Sequence, residues 1–258
     1  MPIVRNRTLR RAAAALLAAA AAGLGFALPA EAAASAPNPP SSEKADAFAE
    51  RRALIDAVAA LTGAPWEYLA AVDQYERTLS LAQPKKRPLR DGLIAIHVTD
   101  REWAGTLNPN PEDVSPQTIE FFGGFGRDGD GDGRADRNSD FDLLYSMAVF
   151  LLKRGVTPAD IGQGIWEYYQ NDRSVKRIRQ FARIYRAFGT LDLHRHSFIL
   201  PLGADYSYRS TWGAARSYGG YRIHEGTDLF AHYGMPVRSA AYGIVEAMGW
   251  NRYGGRRA

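Results

Sequence analysis

The chain contains no cysteine among its 258 residues. That single absence excludes disulfide staples, thiolate metal ligands, a cysteine nucleophile and a lipidated cysteine anchor. Histidine is nearly as scarce. His97, His194, His196, His224 and His232 are the five, so imidazole chemistry rests on few positions. An excess of positive charge is missing too, although the formal net charge is +4. Arg5, Arg7, Arg10 and Arg11 fall in the first eleven residues, and Glu31 is the only acid before Ala33. Past residue 32 the chain carries 28 basic and 27 acidic side chains, a net of +1. A body that close to neutral has no electrostatic footprint for a phosphate backbone, and nucleic acid is excluded as a partner. A strong membrane span is also lacking. The one long apolar stretch, AAAALLAAAAAGLGFALPA, is Ala-rich and at the lower limit for crossing a bilayer.

That stretch has a different use. The basic MPIVRNRTLRR precedes it and the small-x-small triple Ala30-Glu31-Ala32 follows it, the order of a secretory signal peptide over residues 1–32. The expected localisation is therefore secreted or cell-envelope. Contact with the membrane would come only through this segment, were it left uncleaved. Residues 33–44, AASAPNPPSSEK, read as a Pro-rich flexible linker.

From Ala45 the pattern is helical. Phe48, Leu54, Ile55, Val58 and Leu61 fall largely on one face of a first helix that ends at Gly63. Pro65 opens a second helix, where a missing N–H costs nothing. Residues 83–114 read as loop with one short apolar run, Leu93–Val98. Three more helices are expected at about 140–154, 158–171 and 174–187, the middle one started by Thr157-Pro158. After Gly189 the periodicity gives way to short runs, Ser197–Pro201, Pro236–Ser239 and Ile244–Met248, punctuated by glycine. The expected fold class is α+β: a helical domain over 45–190, then a β-rich segment over 191–258.

Two features of the helical domain carry chemistry. Glu76 follows Leu69 by seven residues and Val72 by four, continuing an apolar stripe. A carboxylate on such a stripe is desolvated and stays protonated near neutrality, the state of a general acid that protonates a leaving sugar oxygen. The competing reading is a glutamate that swings to the helix edge and pairs with an arginine. The second feature is a run in which Asp128, Asp130, Asp132 and Asp136 occupy positions 1, 3, 5 and 9 around Gly133 at position 6. Oxygen donors at that spacing wrap a calcium-sized cation, and the glycine permits the sharp turn. Ser139 stands where a bidentate glutamate is usual, so closure falls to Asp140 or Asp142. The calcium would be structural.

These motifs bring a resemblance. PWEYLAAVDQYER resembles the helix bearing the catalytic glutamate of lysozyme-like lytic transglycosylases, with Glu76 on the glutamate and Arg77 where serine is usual. DGDGDGRADRNSDFDLLYSMAVFLLKRG is similar to the calcium loop and helix of the membrane-bound, calcium-binding transglycosylases, with Asp142 matching an acid at the helix start. The resemblance covers roughly residues 45–190. It implies Glu76 acting as acid and then base while a sugar hydroxyl attacks intramolecularly.

In the β-rich segment, His224 and Asp228 place an imidazole and a carboxylate four residues apart around Gly226. A catalytic zinc takes three N/O ligands and keeps one position open for water. The surrounding string resembles the opening of the lysostaphin-type zinc endopeptidases, of the duplicated-hybrid-motif fold. Arg222, His224, Gly226 and Asp228 match, then Gly234, Pro236 and Val237, then Gly243 and Val245. The resemblance implies His224 and Asp228 as zinc ligands and the peptide part of peptidoglycan as substrate. It also implies a later His-x-His, and none follows Asp228; His194-Arg-His196 has that spelling but precedes it. The expectation is thus an exported peptidoglycan hydrolase with an incomplete zinc site and an accessory transglycosylase-like module. The alternative is a non-catalytic, calcium-stabilised wall-binding remnant.

Overall fold

The computed structural model describes residues 42–217, 221–252 and 255–257. The expected signal segment 1–32 and nearly all of the linker 33–44 lie outside them. Among the described residues, seven helices and six short strands make a mixed α and β architecture. The helices are α1 (Ser42–Thr62), α2 (Trp66–Ala82), α3 (Asp100–Ala104), α4 (Pro116–Phe121), α5 (Asp140–Leu151), α6 (Pro158–Tyr169) and α7 (Asp172–Phe188). Among the described residues no helix is long and apolar enough to cross a membrane.

The core lies where α2 packs between α7, α1 and α5. Leu69, Ala70, Ala71 and Val72 of α2 are fully buried, as are Ile55 and Val58 of α1 and Leu143, Leu144 and Met147 of α5. Each large side chain so buried contributes about 1.5–3 kcal/mol. Leu61 departs from its expected place on the packed face of α1 and is 63% exposed. It sits in the last turn, where the helix stops at Gly63 (φ 73°) before the core-facing stripe returns. The three later helices stand close to their expected spans, and Thr157 with Asp160 forms a reciprocal capping box ahead of Pro158.

The loop-rich stretch 83–114 holds more order than its proline content implies. Asp73, fully buried on α2, accepts from the Ala95 amide at 2.6 Å and pairs with Arg77 at 3.1 Å and Arg51 at 3.4 Å. Asp140 at the head of α5 takes the Leu93 amide at 2.7 Å and Arg90 at 3.0 Å. Two carboxylates thus hold the run 93–98 in the core, where Ile94, Ile96 and Val98 are buried. The unforeseen helices α3 and α4 start at sequence signals of their own, the Thr99–Glu102 capping box and Ser115-Pro116.

Past Gly189 (φ 67°), which ends α7, the strands are β1 (Tyr206–Arg209), β2 (Ala215–Arg216), β3 (Arg222–Ile223), β4 (Asp228–Ala231), β5 (Gly249–Asn251) and β6 (Gly255–Arg257). They pair antiparallel as β1–β4, β2–β3 and β5–β6. None coincides with the expected runs Ser197–Pro201, Pro236–Ser239 and Ile244–Met248. Among the described residues the first two meet through the backbone bonds Ser197 N to Ala240 O (2.9 Å) and Arg238 N to Ile199 O (2.8 Å). Two isolated bonds make no ladder. The segment rests on the helical core through Tyr242, packed 4.7 Å from Phe188, and Ile244. Glu246 is held by Gln180, Lys176 and Arg177 of α7; the Gln180 hydrogen bond first, and then the positive charges, pull its carboxyl below the usual range.

Candidate functional site

Glu76 is fully buried two-thirds of the way along α2. The two sequence readings of this residue both describe part of what is seen. It lies in the core, and it also faces an arginine. Tyr169, at the end of α6, donates its hydroxyl to Oε1 at 2.7 Å, while Arg87 from the loop after α2 stands 3.3 Å from Oε2. Among the described residues, Oε2 has no well-aligned hydrogen-bond donor. Burial lifts the Glu76 carboxyl above its ordinary range, against the Tyr169 hydroxyl and Arg87, which pull it down. Burial and the neighbouring Glu76 charge push the Tyr169 hydroxyl well up, so it remains a donor.

Beside this pair opens a cavity of about 590 Å³ lined by Tyr75, Arg87, His97, Glu102, Tyr168 and Tyr169, among others. Aromatic rings build its wall: Tyr75 meets Tyr169 edge-on at 5.2 Å, and Phe125 and Phe150 lie 5.7 and 5.6 Å from Tyr168. Tyr168 donates to the His97 carbonyl at 3.1 Å, tying α6 to the run held by Asp73. Arg77 does not face this cavity site. It binds Asp73 and the Leu93 carbonyl. Trp103 is 2% exposed, its indole N–H donating to the Ala135 carbonyl at 2.9 Å. It is a core residue of α3.

The acidic loop has the expected turn, with Gly133 at φ 87° and Gly131 at φ 81°, conformations that favour glycine. Of the five expected oxygen donors, Asp128, Asp130 and Asp142 present atoms within 4.8 Å of one another. Asp132 and Asp136 are not in that group and accept from the Arg134 and Asn138 amides at 2.8 Å each. Asp142 closes the loop from α5 and receives the Gly129 and Asp136 amides at 2.8 and 2.9 Å. Asp140, the other residue considered for closure, is occupied by Arg90 and Leu93.

His224 and Asp228 come together at the far end of the chain. The His224 backbone bridges the turn before β2, donating to the Ala214 carbonyl at 2.9 Å and accepting from Gly213 at 2.8 Å. Asp228 opens β4, opposite Arg209 of β1. The two side chains approach to 3.5 Å between Nε2 and Oδ1. Thr211 contacts both, its carbonyl 3.1 Å from His224 Nδ1 and its hydroxyl donating to Asp228 Oδ2 at 3.3 Å. Arg216 reaches in from β2, with Nη2 2.9 Å from Asp228 Oδ2 and about as close to both ring nitrogens. No third His, Asp or Glu joins this pair among the described residues. His194 and His196 are exposed, and His232 lies 3.9 Å from Asp205.

Sequence reasoning missed Tyr169, Arg87, Thr211 and Arg216. No spacing signal marks them. Tyr169 lies 93 residues from Glu76, and Arg216 is one of many arginines.

No protein-family model matches the chain. No solved structure matches it either. Over 210 residues the chain is 49% identical to the L-Ala--D-Glu endopeptidase of Bacillus subtilis (strain 168), a stretch that makes up 81% of this chain and 64% of that relative.

Proposed function

We propose that the chain is an extracytoplasmic peptidoglycan hydrolase of the zinc endopeptidase type, with His224 and Asp228 as metal ligands. The observation that carries this reading is the convergence of the two side chains to 3.5 Å on a frame fixed by Thr211 and the Gly213–Ala214 turn. One imidazole and one carboxylate are donor types that zinc takes, and they supply two of the three protein ligands of a catalytic site. The relative's activity on an L-Ala–D-Glu bond supports the peptide part of the wall as substrate. Bound zinc would polarise the scissile carbonyl and acidify a water. The residues of the chain orient the ligands. The Thr211 carbonyl can accept only from a proton-bearing Nδ1, which leaves the Nε2 lone pair for the metal. The Thr211 hydroxyl takes up Asp228 Oδ2 and frees Oδ1 toward Nε2.

Clearing of purified peptidoglycan in a gel tests the proposal. Clearing should be lost on chelation and restored by zinc. Clearing indifferent to zinc would remove the peptidase reading, and no clearing at all would favour the wall-binding remnant.

The helical module supports a second activity. Glu76 is desolvated beside an aromatic-walled cavity, the environment of an acid that protonates a glycosidic oxygen. On this reading the module is lysozyme-like and cleaves the glycan. Calcium at Asp128, Asp130 and Asp142 would hold the loop that buttresses α5. Calcium at about a hundred times its dissociation constant then adds about 2.7 kcal/mol to stability. A rise in the thermal midpoint that Asp130→Asn removes is the expected result, and an identical melt with calcium or chelator would exclude this site.

A further inference from the structure

The inference concerns Arg216 and rests on the zinc reading of His224 and Asp228. A single guanidinium nitrogen, Nη2, lies 2.9 Å from Asp228 Oδ2, 3.0 Å from His224 Nε2 and 2.9 Å from Nδ1. Among the described residues, this one cationic nitrogen lies against both side chains, on the His224 ring and on the carboxylate oxygen other than the Oδ1 that faces Nε2. We infer that Arg216 is a built-in counter-cation for the empty ligand pair, holding His224 and Asp228 together before metal binds and leaving when it does.

The frame makes this arrangement a property of the fold. Arg216 lies on β2 opposite Arg222 of β3, one pair along from Ala215 and Ile223. That ribbon leads directly into His224, whose amide is bonded to the Ala214 carbonyl. Arg216 and His224 are therefore set by the same hairpin, while Asp228 arrives on β4. The guanidinium bridges the two ribbons, with the Arg216 side chain 37% and the Asp228 side chain 42% exposed.

Exchange follows from charge and distance. Zinc sits about 2.0–2.2 Å from nitrogen and oxygen ligands. A guanidinium touching the same ring and the same carboxylate would lie within a few ångströms of a divalent cation, and the repulsion drives it out. The long arginine stem lets it swing to solvent without moving β2. Binding zinc must then break the Arg216 contacts, so the arginine weakens metal affinity by what those contacts are worth. A partly exposed ion pair is worth up to about fivefold in a binding constant.

Zinc affinity of the full chain, measured by competition with a chromogenic chelator in excess calcium, tests the exchange. Arg216→Gln should bind zinc about fivefold more tightly than the parent, and Arg216→Lys should fall between. Equal or weaker binding by Arg216→Gln would overturn the inference, since a residue that only stabilises the ligand frame lowers affinity on removal. In the parent chain, the Arg216 Nε–Hε resonance should move to a solvent-exposed position as zinc is added. This readout needs no variant to fold, and an unmoved resonance with zinc bound would contradict the exchange. Failure of the underlying zinc reading is separable: His224→Gln would then leave zinc binding intact, whatever the Arg216 variants do.

Discussion

Glu76→Gln is expected to abolish glycan cleavage, lowering release of anhydro-sugar ends from peptidoglycan by at least about a hundredfold, the usual contribution of a positioned general acid. Glutamine keeps the shape and the Tyr169 hydrogen bond but has no proton to give. Stem-peptide cleavage should be unchanged, because His224 and Asp228 lie in the β segment. The same variant should be more stable relative to the parent as pH rises. Burial holds the Glu76 carboxyl above its ordinary 4.5. The folded parent therefore binds a proton that the unfolded chain has released. Its stability contribution is present below the unfolded value and is lost as pH climbs to the raised one. Glutamine has no such loss. The gap amounts to roughly 1.4 kcal/mol for each unit of pKa elevation. Thermal melts at pH 5 and pH 8 read it directly. A gap of opposite sign would mean that the Arg87 pair, not desolvation, governs this carboxyl.

The helices were legible because their signals are local. The period of Leu69, Val72 and Glu76 places one face of α2 in the core, and Thr157-Pro158 and Gly189 mark real ends. The acidic loop was legible for the same reason, since its spacing and Gly133 require a turn. What failed depended on distant partners. The run Leu93–Val98 is pinned by Asp73 and Asp140, neither of them near in sequence. The expected strands after residue 190 were misplaced because glycine-bounded apolar runs there pack singly against α7 or one another. The ladders form instead around polar residues such as Arg216, Arg222 and Asp228. At the candidate sites, the proposed acid and metal ligands could be named from sequence and the residues that contact them could not. Glu76 could be named from a stripe, but its donor Tyr169 comes from α6. His224 and Asp228 could be named from a motif, but Thr211 and Arg216 emerge only when β2 folds beside β3.

Removing either of the proposed metal ligands should have the largest effect on cleavage of the wall peptide. His224→Gln or Asp228→Asn leaves a single donor, too few to hold zinc. Peptide cleavage should fall by at least about a hundredfold, in line with the loss of a catalytic metal's several kcal/mol of charge stabilisation. Neither change should unfold the helical core, since both residues lie outside it. Glycan cleavage by Glu76 provides the internal control. The decisive measurement is end-group analysis of peptidoglycan digested by the parent chain and by His224→Gln. The account predicts new amino-terminal D-Glu from the parent, zinc-dependent and absent from the variant, with anhydro-sugar ends equal in both. New D-Glu termini produced equally by the variant, or no peptide cleavage by the zinc-loaded parent, would contradict it.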